Sequence, residues 1–157
     1  MTHLQTLHGT PLSLDDLRGD PALLLFWNIG CAGCVGRALP FAVELAKQFP
    51  SLQIVAIHSV FPPRPTQPQR EVQRVADHYA LPFVVALDDG DTHYRAFGAE
   101  GTPHWVILNE EGAIYRSFFG SMAGQQQRLL YALQALFDSQ PVARPLVHPS
   151  DDTVAPL

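Results

Sequence analysis

Two thiols two residues apart, in Cys31-Ala32-Gly33-Cys34, are the only cysteines of the chain. A thiolate attacks a disulfide sulfur, and a second thiol in reach then attacks the mixed disulfide that results. The spacing suits both steps if the motif opens a helix. One sulfur then meets the positive end of the helix dipole, and the other lies one turn further along. The dipole supplies about 0.3–1 kcal/mol, or up to ~2 kcal/mol when partly buried. At ~1.36 kcal/mol per pKa unit, it lowers a thiol pKa by about one unit. Two plainer readings compete. Free cysteines also pack as small apolar side chains. Paired cysteines also bind metals, but a structural zinc site needs four ligands. The best added pair, His3 and His8, sits on the N-terminus, so no metal site and no cofactor are expected.

The elements that would hold the motif follow from hydrophobic pattern. Ala22 to Asn28 is a continuous apolar run, the mark of a strand buried on both faces. Val35, Ala38, Leu39, Ala42, Leu45, Ala46 and Phe49 recur at helical spacing, which predicts a helix from about Ala32 to Phe49, kinked at Pro40. Gln53 to Ser59 reads as a second buried strand, closing a right-handed βαβ unit with parallel strands. After the proline-rich stretch Phe61 to Gln67, a helix starts near Pro68 and buries Val72, Val75, Ala76 and Tyr79. Phe83 to Leu87 is a short strand and Asp91 to Phe97 a short helix. His104 to Asn109 and Ala113 to Phe119 form a hairpin around Glu110-Glu111-Gly112. Leu129, Leu130, Leu133, Leu136 and Phe137 mark a last helix. Ahead of all this, His8-Gly9-Thr10-Pro11 and Arg18-Gly19-Asp20-Pro21 are turn signals, and Ser13 caps a short Leu14–Leu17 turn. The order implies an α/β fold with a central mixed sheet and helices on both faces.

The chain has 157 residues, 46% hydrophobic and 16% charged. That is one globular domain, taken as residues 1–139, with a proline-rich tail over 140–157. A net charge of −5 without a Lys/Arg cluster argues against nucleic-acid binding. No apolar run reaches the ~20 residues of a membrane helix. Met1-Thr2-His3-Leu4-Gln5 lacks the basic start of a signal peptide, so a cytoplasmic location is expected. A cytosolic C-x-x-C points to redox or metal chemistry more than to a structural staple.

Phe26-Trp27, the Cys31/Cys34 pair and Gly101-Thr102-Pro103 resemble a thioredoxin fold, a three-layer sandwich. Leu12-Ser13-Leu14-Asp15-Asp16-Leu17-Arg18-Gly19 as N-terminal extension, with the strand-helix insert at Phe83 to Phe97, resembles the TlpA/ResA-like branch of thiol–disulfide oxidoreductases. Ile57-His58-Ser59 and Pro82-Phe83-Val84-Val85-Ala86-Leu87-Asp88 are similar to thioredoxin-like domains attached to larger redox and NHL-repeat proteins. The resemblance spans about Leu4 to Phe137. It implies Cys31 as the attacking thiol and Cys34 as the resolving one. It also implies a cis Thr102–Pro103 peptide facing them and offering backbone groups to an extended substrate; Thr102, Pro103, Trp27 and Gly30 are taken as the substrate contacts, with core beneath the site as the plainer reading of Trp27. Departures accompany it. Gly30 stands where family members often carry Trp. Leu25 and Arg37 stand where a buried acid or a helix acid is usual. Pro40 follows Cys34 by six residues where five is usual, which predicts an altered helix start.

The expected function is thiol–disulfide exchange with a protein disulfide substrate and a protein or small-thiol electron donor, acting as a reductase. Arg37, on the first turn, is the nearest added cation, though a solvated arginine is the plainer reading. His58 is one candidate base for Cys34, beside Asn28 and Glu44; an ordinary surface or capping histidine is the plainer reading of His58. His104 is read as packing. Ser59 and Ser121 lack a base at recognisable spacing, so hydrolase chemistry is set aside. A thiol peroxidase would need Pro and Thr shortly before the attacking cysteine, and Phe26-Trp27-Asn28-Ile29-Gly30 has neither. A non-enzymatic binding module is the third reading. Oligomeric state is not fixed by the sequence.

Overall fold

The computed structural model describes residues 4–64 and 66–139. The expected tail over 140–157, and His3 of the terminal histidine pair, lie outside the described residues. Seven strands are present: β1 (Leu4–Thr6), β2 (Pro11–Leu12), β3 (Ala22–Trp27), β4 (Gln53–His58), β5 (Val84–Leu87), β6 (His104–Leu108) and β7 (Ile114–Phe119). Four α-helices accompany them: α1 (Leu39–Gln48), α2 (Gln69–Tyr79), α3 (Thr92–Ala96) and α4 (Ala123–Asp138). The strands form one mixed sheet in the order β2-β1-β5-β4-β3-β6-β7. The three inner strands β5, β4 and β3 are parallel; β6 pairs antiparallel with β3, and β7 pairs antiparallel with β6.

All six residues of β3 are buried, because both faces of the sheet are covered at its centre. Leu23, Leu25 and Trp27 turn to the side where Leu39, Ala42 and Leu45 of α1, Val72 of α2 and Leu129, Leu133 and Leu136 of α4 pack. Ala22, Leu24 and Phe26 turn to the other side, covered by Leu17 of a 3₁₀ turn and by Tyr94 and Phe97 around α3. The two cores are unequal: three long helices against one short helix and a turn. Each large apolar side chain fully removed from water stabilises the fold by about 1.5–3 kcal/mol. Parallel β3 and β4 therefore sit rigidly between two cores, and what hangs from their C-terminal ends is fixed in space.

Ser13 caps the 3₁₀ turn Leu14–Leu17, its hydroxyl accepting the Asp15 N–H at 3.3 Å. The residues before it do more than turn. Leu4–Thr6 and Pro11–Leu12 form a small hairpin, and β1 joins the sheet antiparallel to β5, Gln5 opposite Leu87 and Thr6 opposite Ala86. Strands of three and two residues are too short to show a period, so the sequence signals only their turn.

The helix after the cysteines also departs from expectation. Its irregularity lies before Pro40, where Cys34–Ala38 forms a π turn and the Leu39 N–H donates to the Cys34 carbonyl five residues back. Pro40 follows in the first turn of α1, where its missing N–H costs least. A π turn takes in one residue more than an α turn. It accommodates the six-residue spacing from Cys34 to Pro40 while Ala38, Leu39 and Ala42 stay buried.

Candidate active site

β3 ends at Trp27, and the chain leaves the sheet through Asn28, Ile29 and Gly30 before Cys31. The three N–H groups from Ile29 to Cys31 are all engaged. Ile29 donates to His58 Nε2 at 3.0 Å, Gly30 to Asn28 Oδ1 at 2.7 Å and Cys31 to the Asn28 carbonyl at 3.0 Å. Asn28 is held in turn, its Nδ2 donating to the Ser59 carbonyl at 2.8 Å. The loop is thus tied to the end of β4, and the motif starts from a fixed platform.

Cys31 is partly exposed and Cys34 is fully buried, both as free thiols. The Cys34 N–H donates to Cys31 Sγ at 3.2 Å, a backbone donor at a helix start aimed at the outer sulfur. The Cys31 thiol donates to the Thr102 carbonyl at 3.3 Å. Once the proton leaves, that donation ends while the Cys34 N–H still faces the sulfur. Burial, and next the bond to the Cys31 thiol, push the Cys34 thiol up to about 12. The two sulfurs therefore differ in role: one is open with a donor on it, and one is sealed and held protonated.

The Thr102–Pro103 peptide is cis, as is Pro62–Pro63 in the proline-rich loop. The Pro103 carbonyl accepts the Gly120 N–H at 2.9 Å, which ties it to the turn between β7 and α4. That turn also reaches the motif. A Cβ added to Gly33 would stand 2.7 Å from Ser121 Oγ and 4.0 Å from Pro103 Cδ. Glycine leaves room there for the Ser121 hydroxyl. At Gly101, φ is +152° and the Phe119 ring occupies the place of a side chain, so glycine is required twice over.

Of the four residues expected to contact substrate, Gly30 and Thr102 are accessible and Trp27 and Pro103 are not. Trp27 is fully buried, because the strand that carries it is covered on both sides. It lies under the motif, edge-on to His58 with ring centroids 4.9 Å apart. Its Nε1 is the one buried side-chain donor without a partner among the described residues. Pro103 is covered by the β7–α4 turn, so it shapes the site and leaves contact to Thr102.

The candidate bases are accounted for as well. Glu44 lies on the outer side of α1 and pairs with Lys47 at 3.2 Å. Asn28 spends its amide on the loop. His58 is fully buried, and burial lowers its pKa below the ordinary histidine value, with the Gln67 bond opposing. Both of its ring nitrogens are occupied, by Ile29 N–H and by Gln67 Oε1 at 2.7 Å. It braces the loop and does not face Cys34 as a free base. His104 packs inside, its Nε2 2.7 Å from Ser117 Oγ, and burial lowers its pKa too. Arg37 is exposed on the π turn.

Sequence reasoning missed Gln67 and Asp88. Gln67 Nε2 donates to the carbonyls of His58 at 2.8 Å and Asp88 at 3.0 Å, bridging the ends of β4 and β5. The buried Asp88 carboxylate accepts from Ser59 Oγ at 2.8 Å, from His93 N–H and Nδ1 both at 2.9 Å, and from Tyr94 N–H at 3.1 Å. Burial alone would raise its pKa; these bonds, those from His93 foremost, carry it below the ordinary carboxylate value. Several clefts run along α2. One of about 340 Å³ touches the motif at Ile29 and Val35. A larger one, about 700 Å³, opens at the start of β5 and holds neither cysteine.

The family model for the AhpC/TSA family matches residues 2–119. The chain belongs to the AhpC/TSA family. Within curated members, it is 29% identical over 124 residues to the thiol-disulfide oxidoreductase ResA of Halalkalibacterium halodurans, covering 78% of this chain and 66% of that protein. The thioredoxin-like protein YneN of Bacillus subtilis is 28% identical over 124 residues, covering 78% of this chain and 70% of that one. The AhpC/TSA chain thus spans about two thirds of the length of the ResA relative, 66%. Among solved structures, a putative thioredoxin from Neisseria meningitidis superposes with a TM-score of 0.72 at 26% identity, covering 88% of both chains. A putative thiol:disulfide interchange protein DsbE from Chlorobium tepidum gives 0.75 at 19% identity, over 86% of this chain and 92% of that one. These likenesses establish the thioredoxin-like fold, and the C-x-x-C spacing of this AhpC/TSA member falls at its strand-to-helix junction.

Proposed function

We propose that this domain is a thiol–disulfide oxidoreductase that reduces a disulfide in a polypeptide partner. The observation that carries the reading is the division of labour between the sulfurs: an open Cys31 receiving the Cys34 N–H, over a sealed Cys34 held protonated. Cys31 thiolate attacks one partner sulfur, a Cys31–partner bond forms, and the partner's own S–S bond breaks. The departing partner thiolate takes up a proton. Cys34 then gives up its proton and attacks Cys31 Sγ. The Cys31–Cys34 bond forms, and the second partner sulfur leaves and is protonated. Two electrons and two protons pass to the partner.

A polypeptide partner is supported by the surface around Cys31. Thr102 presents backbone beside the sulfur, and Phe119 and Met122, 49% and 60% exposed, lie on the turn that packs against Gly33 and Pro103. They offer apolar surface beside the Gly101–Pro103 segment, while at Gly30 the aromatic residue usual before the first cysteine is missing. The electron donor is a protein or a small thiol. The reductive direction stands on the potential of the Cys31/Cys34 pair. A value at or below that of the glutathione pool supports reduction, and one well above it supports oxidation.

The test is trapping. A Cys34→Ser variant lacks the resolving sulfur, so it is expected to retain partner polypeptides through Cys31 in a form released by a reducing agent. Cys31→Ser is expected to retain none. Equal recovery with both variants would overturn the reading. Turnover of hydrogen peroxide by Cys31 faster than of disulfides would move it to thiol peroxidase chemistry.

A further inference from the structure

His58, Gln67 and the Asp88 peptide form a chain of directed hydrogen bonds that ends on the loop carrying Cys31. Gln67 starts it. Its Nε2 donates to two carbonyls, His58 at 2.8 Å and Asp88 at 3.0 Å, and this orients the amide. Its Oε1 is left facing His58 Nδ1 at 2.7 Å. A carbonyl oxygen only accepts, so Nδ1 carries the ring hydrogen. His58 Nε2 is therefore bare, and it accepts the Ile29 N–H at 3.0 Å. Ile29 stands two residues before Cys31, and Asn28 takes care of the two N–H groups that follow. The remaining N–H of this loop is oriented by a histidine whose tautomer is chosen by a glutamine from the proline-rich stretch.

We propose that His58 is a positioning residue for Cys31, with Gln67 setting the tautomer that lets it act. The inference rests on the reading of Cys31 as the attacking thiol. Its consequence is chemical. The Cys34 N–H reaches Cys31 Sγ only while the turn from Asn28 to Cys34 keeps its shape. When the Ile29 peptide is released, that donor loses aim and the charge on the attacking sulfur loses a partner.

The experiment reads alkylation of Cys31 by iodoacetamide in a Cys34→Ser background, where Cys31 is the single thiol. His58→Phe keeps an aromatic ring against Trp27 and removes the acceptor. Gln67→Leu keeps the ring and removes the group that orients it. Both are expected to slow alkylation about threefold at neutral pH, the loss of a hydrogen bond to the attacking sulfur being offset in part by its greater nucleophilicity. At pH high enough to ionise the thiol fully, both variants are expected to react as fast as the parent or faster, an inversion that a merely misfolded site would not give. Ser59→Ala is the control. It removes a bond to Asp88, leaves the Ser59 carbonyl in place for Asn28, and is expected to lower stability without changing alkylation. Nitrogen-15 spectra of the parent are expected to show a protonated Nδ1 and an unprotonated Nε2 at His58.

Parent-like alkylation in both variants, slowing by Ser59→Ala equal to theirs, or a hydrogen on Nε2 would each overturn the inference. If His58→Phe fails to fold, Gln67→Leu and the spectrum decide. If the parent reduces no disulfide and yet its alkylation depends on His58 as described, the proposed function fails and the positioning role stands.

Discussion

The site is held from two sides by different physics. On the β4–β5 side, Asn28, His58, Gln67 and the Ser59 carbonyl hold the loop through directed, partly buried hydrogen bonds, and the buried Asp88 carboxylate braces the strand ends behind them. On the β7–α4 side, Gly33, Gly101, Pro103, Phe119 and Ser121 meet by close approach, with the Gly120 N–H to Pro103 carbonyl bond as the main polar tie. Hydrogen bonds are directional and fix orientation. Close packing fixes distance and leaves a face open to a partner. The polar side therefore orients the sulfur, and the packed side sets how near a partner's backbone comes. Damage to the first should be seen mainly in stability and thiol reactivity, and damage to the second in exchange with large substrates.

The sharpest break of the polar side is Asp88→Asn. Its carboxylate accepts four hydrogen bonds with its side chain fully out of water. An amide turns one acceptor into a donor facing donors. The expected loss is about 3 kcal/mol, read by denaturant unfolding at neutral pH. The sign of the pH dependence follows from the lowered folded pKa. The carboxylate's contribution is full above the unfolded value of 3.8 and disappears as pH falls through the folded value. Asp88→Asn should therefore flatten the acid limb of the stability curve. An unchanged acid limb would show that Asp88 is not what the polar side depends on.

Gly101→Ala is the corresponding break on the packed side. The added methyl would enter the Phe119 ring at φ +152°, where side chains are rarely tolerated. A cost of about 2 kcal/mol is expected from strain and overpacking together. The displaced ring lies next to Gly120 and the Pro103 tie, so exchange with a protein disulfide should fall more than exchange with a small aromatic disulfide. Equal falls would mean that the two sides are not separable in function.

The difference between the sides also explains what could be read from the sequence. The core strands, the helices, the C-x-x-C and the Gly101-Thr102-Pro103 segment declare themselves through periodicity and local motif, and the fold places them as those patterns imply. The π turn was signalled by one number, the six-residue step from Cys34 to Pro40. The polar clamp had no such signal. Gln67 is a single glutamine in a proline-rich stretch, and its partners His58 and Asp88 come from the ends of two strands that only the sheet brings together. Asp88 closes an apolar strand and reads as a loop residue until its four donors are seen. Trp27 was read as both core and contact, and burial on both faces of β3 leaves only the first. Periodicity reports which face is buried; it does not report which polar atoms meet across the fold.

The smallest effect comes from a contact within the packed side, Gly33 against Ser121. A methyl on Gly33 would stand 2.7 Å from Ser121 Oγ but 3.9 Å from its Cβ. The hydroxyl is the movable end of the side chain, so the clash is relieved by a rotation and costs little. Gly33→Ala is expected to slow exchange a fewfold, and Ser121→Ala alone to leave it near the parent rate. The double variant should recover most of the loss, because the methyl then occupies the room the hydroxyl gave up. The coupling in such a double-mutant cycle is expected to be about 0.5–1 kcal/mol. Additive effects would mean that Gly33 is needed for the backbone at the motif and not for its fit against the β7–α4 turn. A recovery confined to protein substrates, with small disulfides unaffected throughout, would place this contact wholly on the side that sets a partner's approach.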